Sequence, residues 1–489
     1  MSTDGGPGRR RGDVGDGARE RPGGGSRRTR ARRRRSRVFL ATFGVAILAL
    51  ALVGAAGAAV SALQGPRVTD VQVDPAAAIA ASGSRMIITT SQSLVTVASE
   101  QVTVTPAAPF TVDTSGRSIG VRFTLPLDDD TEYTVHVADV AGVGSDRLSA
   151  IEETFRTPPI DFFLLQRGPD GDTIFRTDLD GTQAVPVFQD PHIEDFRATP
   201  AHLVVSVAGD DGTSRLIVTD RDGQGARTLP LPGEGTVSSL ESADRGELVG
   251  YTYTDRDLTD TSGQESVLYT VSLSDAAAQP VAIAPSGTDA RVADWRFVPD
   301  TDRVLFVNFA GRLILTDSRG GTVTDLGSAL ALDGVARGSS VAIVERVDGL
   351  FAIDLTSGTE TPLAAAQGVD GVSGAVTPLP GDADATLRPY AVVTGSVAQG
   401  TTVYRVAADG AAEPVFGSAA TAAFLGSCVS PSGRYAAFLV APNIVANSYD
   451  AYLRPLPRTV ETHIVDLGTG DEVVALAGSD ISWCQVSVR

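Results

Sequence analysis

Lysine is absent from this 489-residue chain, and all 40 of its basic residues are arginine. That bias reads as the codon usage of a G+C-rich bacterial genome, not as selection at a site. Histidine is scarce, and His136, His192, His202 and His463 lie too far apart for metal-ligand spacing. Walker and dinucleotide glycine patterns are missing, which excludes the phosphate-cradling loops those motifs build. Aromatics reach only 6%, against 42% apolar residues in all, and glycine and proline together fill 79 positions. Such a composition suits short strands joined by tight turns and leaves little room for long helices.

The formal charge of -19 hides a division. Residues 1–64 hold 13 arginines against 4 acids, whereas residues 65–489 hold 27 against 55. A body this acidic lacks the clustered cations that neutralise phosphates, so nucleic acid is set aside as a partner. Residues 1–37 are rich in Gly and Arg and have too few apolar side chains to fold, so a disordered basic cytoplasmic tail is expected.

Residues 38–64 follow, and from Val38 to Leu63 there is no charge. As a helix this run spans about 39 Å, enough to cross a hydrocarbon core of about 30 Å with some tilt. Arg32 to Arg35 and Arg37 stand just before it, and arginine excess on one flank keeps that flank in the cytoplasm. One transmembrane helix with an extracytoplasmic body is therefore expected. The alternative is a cleaved signal peptide, for which Val60-Ser61-Ala62 offers small residues.

Residues 67–158 alternate apolar and polar positions in short runs such as Val102-Thr103-Val104 and Tyr133-Thr134-Val135. This pattern predicts a β-sandwich. Pro126 to Val135, followed by Phe155-Arg156-Thr157-Pro158, resembles the late strands of bacterial Ig-like and fibronectin type III domains. The resemblance implies that Tyr133 turns inward and caps nearby backbone, and that the domain is a spacer or adhesion module.

In residues 159–489 one unit recurs seven times. Its clearest piece is a β-branched or aromatic strand ending in a polar turn, as in Arg215 to Gly223 or Arg312 to Asp317. The residue before the turn falls at 178, 220, 272, 317, 354, 407 and 466, giving spacings of 42, 52, 45, 37, 53 and 59. Four strands per unit at such spacing predict a seven-bladed β-propeller with insertions in its loops. Trp295 to Asp300 (W-x-x-x-P-D) and Ser430 to Phe438 resemble TolB-like or WD40-like repeats. The expected fold is thus all-β: one transmembrane helix, an Ig-like β-sandwich and a TolB-like β-propeller.

The first repeat lacks a preceding inner strand, and Ile481 to Val488 is expected to supply it, closing the ring. Cys428 and Cys484 then lie on neighbouring blades across the seam, where a disulfide is expected. Asp178 to Gly181 and Asp220 to Gly223 lack the full calcium-loop spacing and read as hairpin turns. Asp195, Asp294, Asp333, Asp370 and Asp480 stand at the starts of inner strands. They read either as turn residues or as a channel-mouth ring for a metal such as calcium; no other cofactor is expected.

The pattern points to a non-catalytic binding protein that presents a propeller to a protein, peptide or envelope glycan. Two alternatives are a propeller-type hydrolase or lyase working with the mouth carboxylates, and an accessory subunit of a membrane complex.

Overall fold

The structure, a computed structural model, describes residues 39–55, 57, 65–143, 147–244, 246–259, 261–395 and 397–484. Residues 39–55 form a helix whose side chains are exposed. Among the described residues no helix is long and apolar enough to cross a membrane. The expected basic tail, and residues 38, 56 and 58–64 of the expected span, lie outside the described residues.

The chain is otherwise all-β, in nine antiparallel sheets among the described residues. Two of them belong to residues 68–156. One orders its strands Val68–Gln72, Arg85–Thr90, Ser118–Phe123 and Phe110–Ser115; the other orders Val102–Thr105, Glu132–Ala141 and Leu148–Arg156. Alternate residues point into one shared core, where Met86, Ile88, Val121 and Phe123 meet Val104, Val135, Val137 and Phe155. A short helix, Pro75–Ala80, was not anticipated. Asp74 caps it by accepting from Ala76 N and Ala77 N at 3.1 and 3.0 Å, and proline occupies the first turn, where its missing N–H is no loss.

Seven sheets follow in chain order. The second is typical: Ile193–Ala198, His202–Ala208, Ser214–Asp220 and Arg227–Leu229 lie side by side in that order. The third, fourth, fifth and seventh begin at Gly235–Ser242, Val292–Phe297, Ala331–Val335 and Ala423–Val429. The turn aspartates act locally, as their sequence context suggests. Asp317 Oδ1 accepts from Arg319 N and Gly321 N, and Asp317 Oδ2 from Thr322 N, at 2.9 to 3.1 Å. Those backbone donors hold its carboxyl below the ordinary range. Asp220 serves its own turn in the same way, accepting from Asp222 N and Gln224 N.

Two sheets depart from the expected unit. The sixth has a broken first strand, Val372–Ser373 and Thr377–Leu379, both pairing with the long strand Asp382–Thr394. The first has only three strands, Asp161–Gln166, Asp172–Asp178 and Val185–Asp190. The strand expected over Ile481 to Val488 does not form in its described part: 481–484 make a turn, tied by Cys484 N donating to Ile481 O at 3.1 Å, and 485–489 lie outside the described residues. An irregular segment lies beside the edge instead. Leu165 and Ser479 exchange both main-chain hydrogen bonds at 2.9 and 2.8 Å, and Ser482 N donates to Phe163 O at 2.9 Å.

Cys428 and Cys484 form a disulfide, with Cα atoms 5.5 Å apart and a sequence separation of 56. Around it, Phe162 and Leu164 of the first sheet share a core with Tyr435, Ala437 and Ile464 of the seventh, and Trp483 lies among them. Elsewhere, large side chains fit against glycine in the neighbouring sheet. The buried Trp295 of the fourth sheet lies so close to Gly250 of the third that a Cβ there would meet its ring at 2.5 Å.

Candidate functional site

The first strands of the second to seventh sheets lie against one another in succession. In the second, third, fourth, fifth and seventh, a bulge interrupts pairing between the first and second strands, at Ile193/Asp195, Ser238/Glu241, Val292/Asp294, Leu332/Gly334 and Phe424/Gly426. A bulge adds a residue to one strand and re-aims its side chains. In the second and fourth sheets the shift puts an aspartate onto an arginine two positions later.

Asp195 Oδ1 thus lies 2.9 Å from Arg197 Nη1, and Arg454 approaches Oδ2 at 3.4 Å. Asp294 Oδ1 lies 2.5 Å from Arg296 Nη1, and Glu241 Oε1 joins at 3.5 Å. Arg296 is 5% exposed, and its second nitrogen donates to Leu332 O at 3.2 Å. Burial works to lower its guanidinium, but Asp294 and Glu241 outweigh it and the pKa lies above the ordinary value.

Asp333 of the fifth sheet is the exception. Its Oδ1 accepts from Val376 N at 2.8 Å, in the break of the sixth sheet's first strand. Its Oδ2 is shielded from water without a hydrogen-bond partner. Burial pushes the carboxyl up to about 6, against the lowering effect of the Val376 amide and Arg296.

These residues border connected space. A cavity of about 420 Å³ is lined by Arg296, Asp333, Ser373, Thr377, Phe424 and Ser427. A narrow neck of about 80 Å³ shares Arg296, Asp333, Thr377 and Ser427 with it, and continues past Arg337 and Trp483. Arg337, Trp483 and Cys484 in turn border a third space of about 570 Å³, walled on its far side by the helix Pro75–Ala80. Arg337 is held there by Asp244 at 3.0 Å.

The two ends of this passage differ. Where the first strands finish, the residue 66–143 region lies against the turns: Leu125 packs on Gly338 and Gly381, both at positive φ and too close for a Cβ, Ser82 bonds Asp300, and Arg434 donates to Asp129 O at 3.2 Å. Where they begin, the connecting loops expose large apolar side chains, among them Phe309, Leu330, Val347 and Val445, with Val347 91% and Val445 93% exposed.

An insertion between Tyr435–Ala441 and Glu461–Asp466 also lies at this end and crosses to the first and second sheets. Tyr452 OH donates to Asp172 Oδ2 at 2.8 Å, and Leu453 N donates to Glu194 Oε1 at 3.0 Å. Arg167 pairs with Asp450 at 2.8 Å, both largely buried, and lies 4.1 Å from the Tyr452 ring centre. Sequence reasoning missed this strap; the 59-residue spacing before the last repeat is the one signal of it.

The five aspartates expected at a channel mouth are held in different ways. Asp195 and Asp294 are neutralised by arginines of their own strands, Asp333 faces the sixth sheet, Asp370 is exposed in the loop before Val372–Ser373, and Asp480 is buried at positive φ, accepting from Ser479 Oγ at 3.2 Å. Among the described residues no group of three His, Cys, Asp or Glu side chains could hold a metal ion. Tyr133 is buried, and its hydroxyl accepts from Asp128 N at 3.0 Å. The G-x-S-x-G run Gly116 to Gly120 is a hairpin turn leading into Ser118–Phe123, without the helix a nucleophile elbow requires.

No family model and no curated protein matches this sequence. Among solved structures, a protein assigned as TolB from Agrobacterium tumefaciens is similar at 17% identity over 67% of this chain and 91% of that one, with a TM-score of 0.36. A Bacteroides thetaiotaomicron protein of unknown function shows 10% identity over 78% and 96%, with a TM-score of 0.36. A Bacteroides fragilis protein assigned as a 6-phosphogluconolactonase shows 11% over 66% and 96%, with a TM-score of 0.41. The likeness to TolB-like and related structures is weak and partial.

Proposed function

We propose that the chain is a membrane-anchored, extracytoplasmic recognition protein, in which an Ig-like β-sandwich over 67–158 supports a seven-bladed β-propeller over 159–489. Support for the ring comes from the succession of first strands, and from the disulfide and shared core that join the seventh sheet to the first. Support for the sandwich comes from two sheets enclosing one core and from the Tyr133 hydroxyl on the backbone five residues upstream. The anchor and orientation rest on the uncharged run after Arg37.

The observation that carries a recognition role is the unlike pair of ends. One is occupied by the chain's own first domain; the other offers a cavity and connecting loops that carry exposed apolar side chains, a surface open to a partner. A protein or peptide of the cell envelope is the expected partner. Photo-crosslinking residues placed at Val347 and Val445 test this in the native membrane, with Asp275 and Asp409, in turns at the opposite end, as controls. Adducts from the first pair alone are expected; equal adducts from both pairs, or none, refute the reading.

A further inference from the structure

We infer that the cavity between the fifth, sixth and seventh sheets receives the guanidinium or ammonium of a basic side chain carried by a protein partner, with Asp333 as its counter-ion. The inference rests on the recognition reading above and adds the chemistry of what is recognised.

The charges around the cavity leave one position unfilled. Arg296 already serves Asp294, Glu241 and the carbonyls of Trp295 and Leu332. Arg388, facing Asp333 from the sixth sheet, donates to Thr386 Oγ1 at 2.9 Å and Ala364 O at 2.7 Å. Both cations are therefore engaged by groups other than Asp333. Glu345 and Asp294 add further negative potential at its carboxyl. A carboxylate oxygen held out of water without a donor is costly, and the cost disappears when a donor arrives. A cation entering the cavity is such a donor once the Asp333 side chain turns its shielded oxygen toward it, and a charge-assisted bond is the strongest available.

The remaining walls suit a cation's stem. Ser373, Thr377, Thr401 and Ser427 bring hydroxyls, while Val372 and Leu425 bring apolar surface for methylenes. At about 420 Å³ the space sits near the lower end of the range for small-ligand pockets, which fits one side chain and not a folded element. The rim decides between a tethered and a free cation. Leu330, Val347, Val372 and Val393, all of the fifth and sixth sheets or the loops beside them, are 54% exposed or more. Such a rim gains from covering by another protein and gives nothing to a free polyamine.

The acidic body, with 55 acids against 27 arginines over residues 65–489, also draws in a basic partner. Since Asp333 titrates near 6, its ionised fraction rises about tenfold between pH 5 and 7, and affinity follows.

The test uses the full chain in detergent micelles, with a fluorescent, amidated Gly-Arg-Leu-Gly peptide and its citrulline counterpart as probes. The arginine peptide is expected to bind at pH 7.5 at least tenfold more tightly than the citrulline peptide, and about tenfold more weakly at pH 5. Asp333→Asn is expected to abolish the preference for arginine. Ser373→Arg, which tethers a guanidinium in the cavity and leaves Asp333 intact, is expected to block binding; Asp275→Asn is expected to change nothing. Equal binding of the two peptides, no binding of either, or unaltered binding by Asp333→Asn overturns the inference, as does spermidine binding where the peptide does not. Such a failure with the Val347 crosslinks intact removes the cation and leaves the recognition reading; loss of both removes both.

Discussion

Opening the Cys428–Cys484 disulfide should loosen the seam between the seventh and first sheets before any other part of the sheet array. The bond closes a loop of 56 residues. In the chain-entropy account, losing such a cross-link frees the unfolded state by about 4 kcal/mol at 25 °C, and natural disulfides fall near 2–4 kcal/mol. What remains at the seam is modest: two main-chain bonds between Leu165 and Ser479, the Phe163–Ser482 contacts, and Trp483 packed 5.0 Å from Phe162 and 6.4 Å from Tyr435. For a cooperative unit of this size, about 4 kcal/mol corresponds to a drop in Tm of about 4–5 °C. The Cys428→Ala/Cys484→Ala variant should therefore melt earlier by that amount in calorimetry, and reductant should have no further effect on it. Hydrogen exchange locates the change: amides of Asp161–Gln166 and of 478–484 should exchange faster, while those of Arg303–Asn308 in the fourth sheet should not. A loss below about 1 kcal/mol, or faster exchange spread evenly over all seven sheets, refutes the view that this is where the array parts first.

Three further outcomes are expected. Asp333 has its folded pKa raised to about 6 from 3.8, so the native state binds more protons between those values and its stability falls as pH rises through that window. Asp333→Asn should match the wild type near pH 4 and exceed it at pH 7 by about 3 kcal/mol in urea unfolding, and a gap that does not widen with pH refutes the assignment. Arg167→Ala leaves Asp450 buried without its partner, which should cost about 3–5 kcal/mol and open residues 442–460 to limited proteolysis. Tyr133→Phe leaves Asp128 N without its acceptor and should lower stability by about 1–3 kcal/mol with little change in packing, as urea midpoints would show.

The parts of this fold that are legible in the sequence are those governed by neighbouring residues. The third strand of the fourth sheet runs Arg312–Asp317, the span its apolar run and polar turn predict, because the apolar residues of R-L-I-L-T-D and the Asx turn after them act within ten residues. The seven recurrences survive for the same reason; the two cysteines pair as expected, although Cys484 lies in a turn and not on the strand expected for it. The helix Pro75–Ala80 had a local signal as well, an aspartate cap followed by proline and three alanines, but it lay inside a run that otherwise reads as strand and turn.

The candidate site is illegible for a related reason: what sets Asp333 apart is a contact between sheets. Five aspartates look alike in one dimension, yet Asp195 and Asp294 follow the bulges of their strands and meet arginines two residues on, while Asp333 is itself the extra residue of its bulge and has no arginine at that offset. Its partner is the Val376 amide, available only because the sixth sheet's first strand breaks between Ser373 and Thr377. The strand break and the missing arginine together leave a carboxylate at a cavity wall, half-satisfied and largely out of water. Ser373→Arg, which brings a guanidinium into the cavity, should therefore supply Asp333 with an internal cation, return its pKa toward the ordinary carboxylate range and flatten the pH dependence that Asp333→Asn exposes. Such a variant separates the two ingredients: a carboxylate that is merely buried stays buried, whereas one that lacks a cation is satisfied.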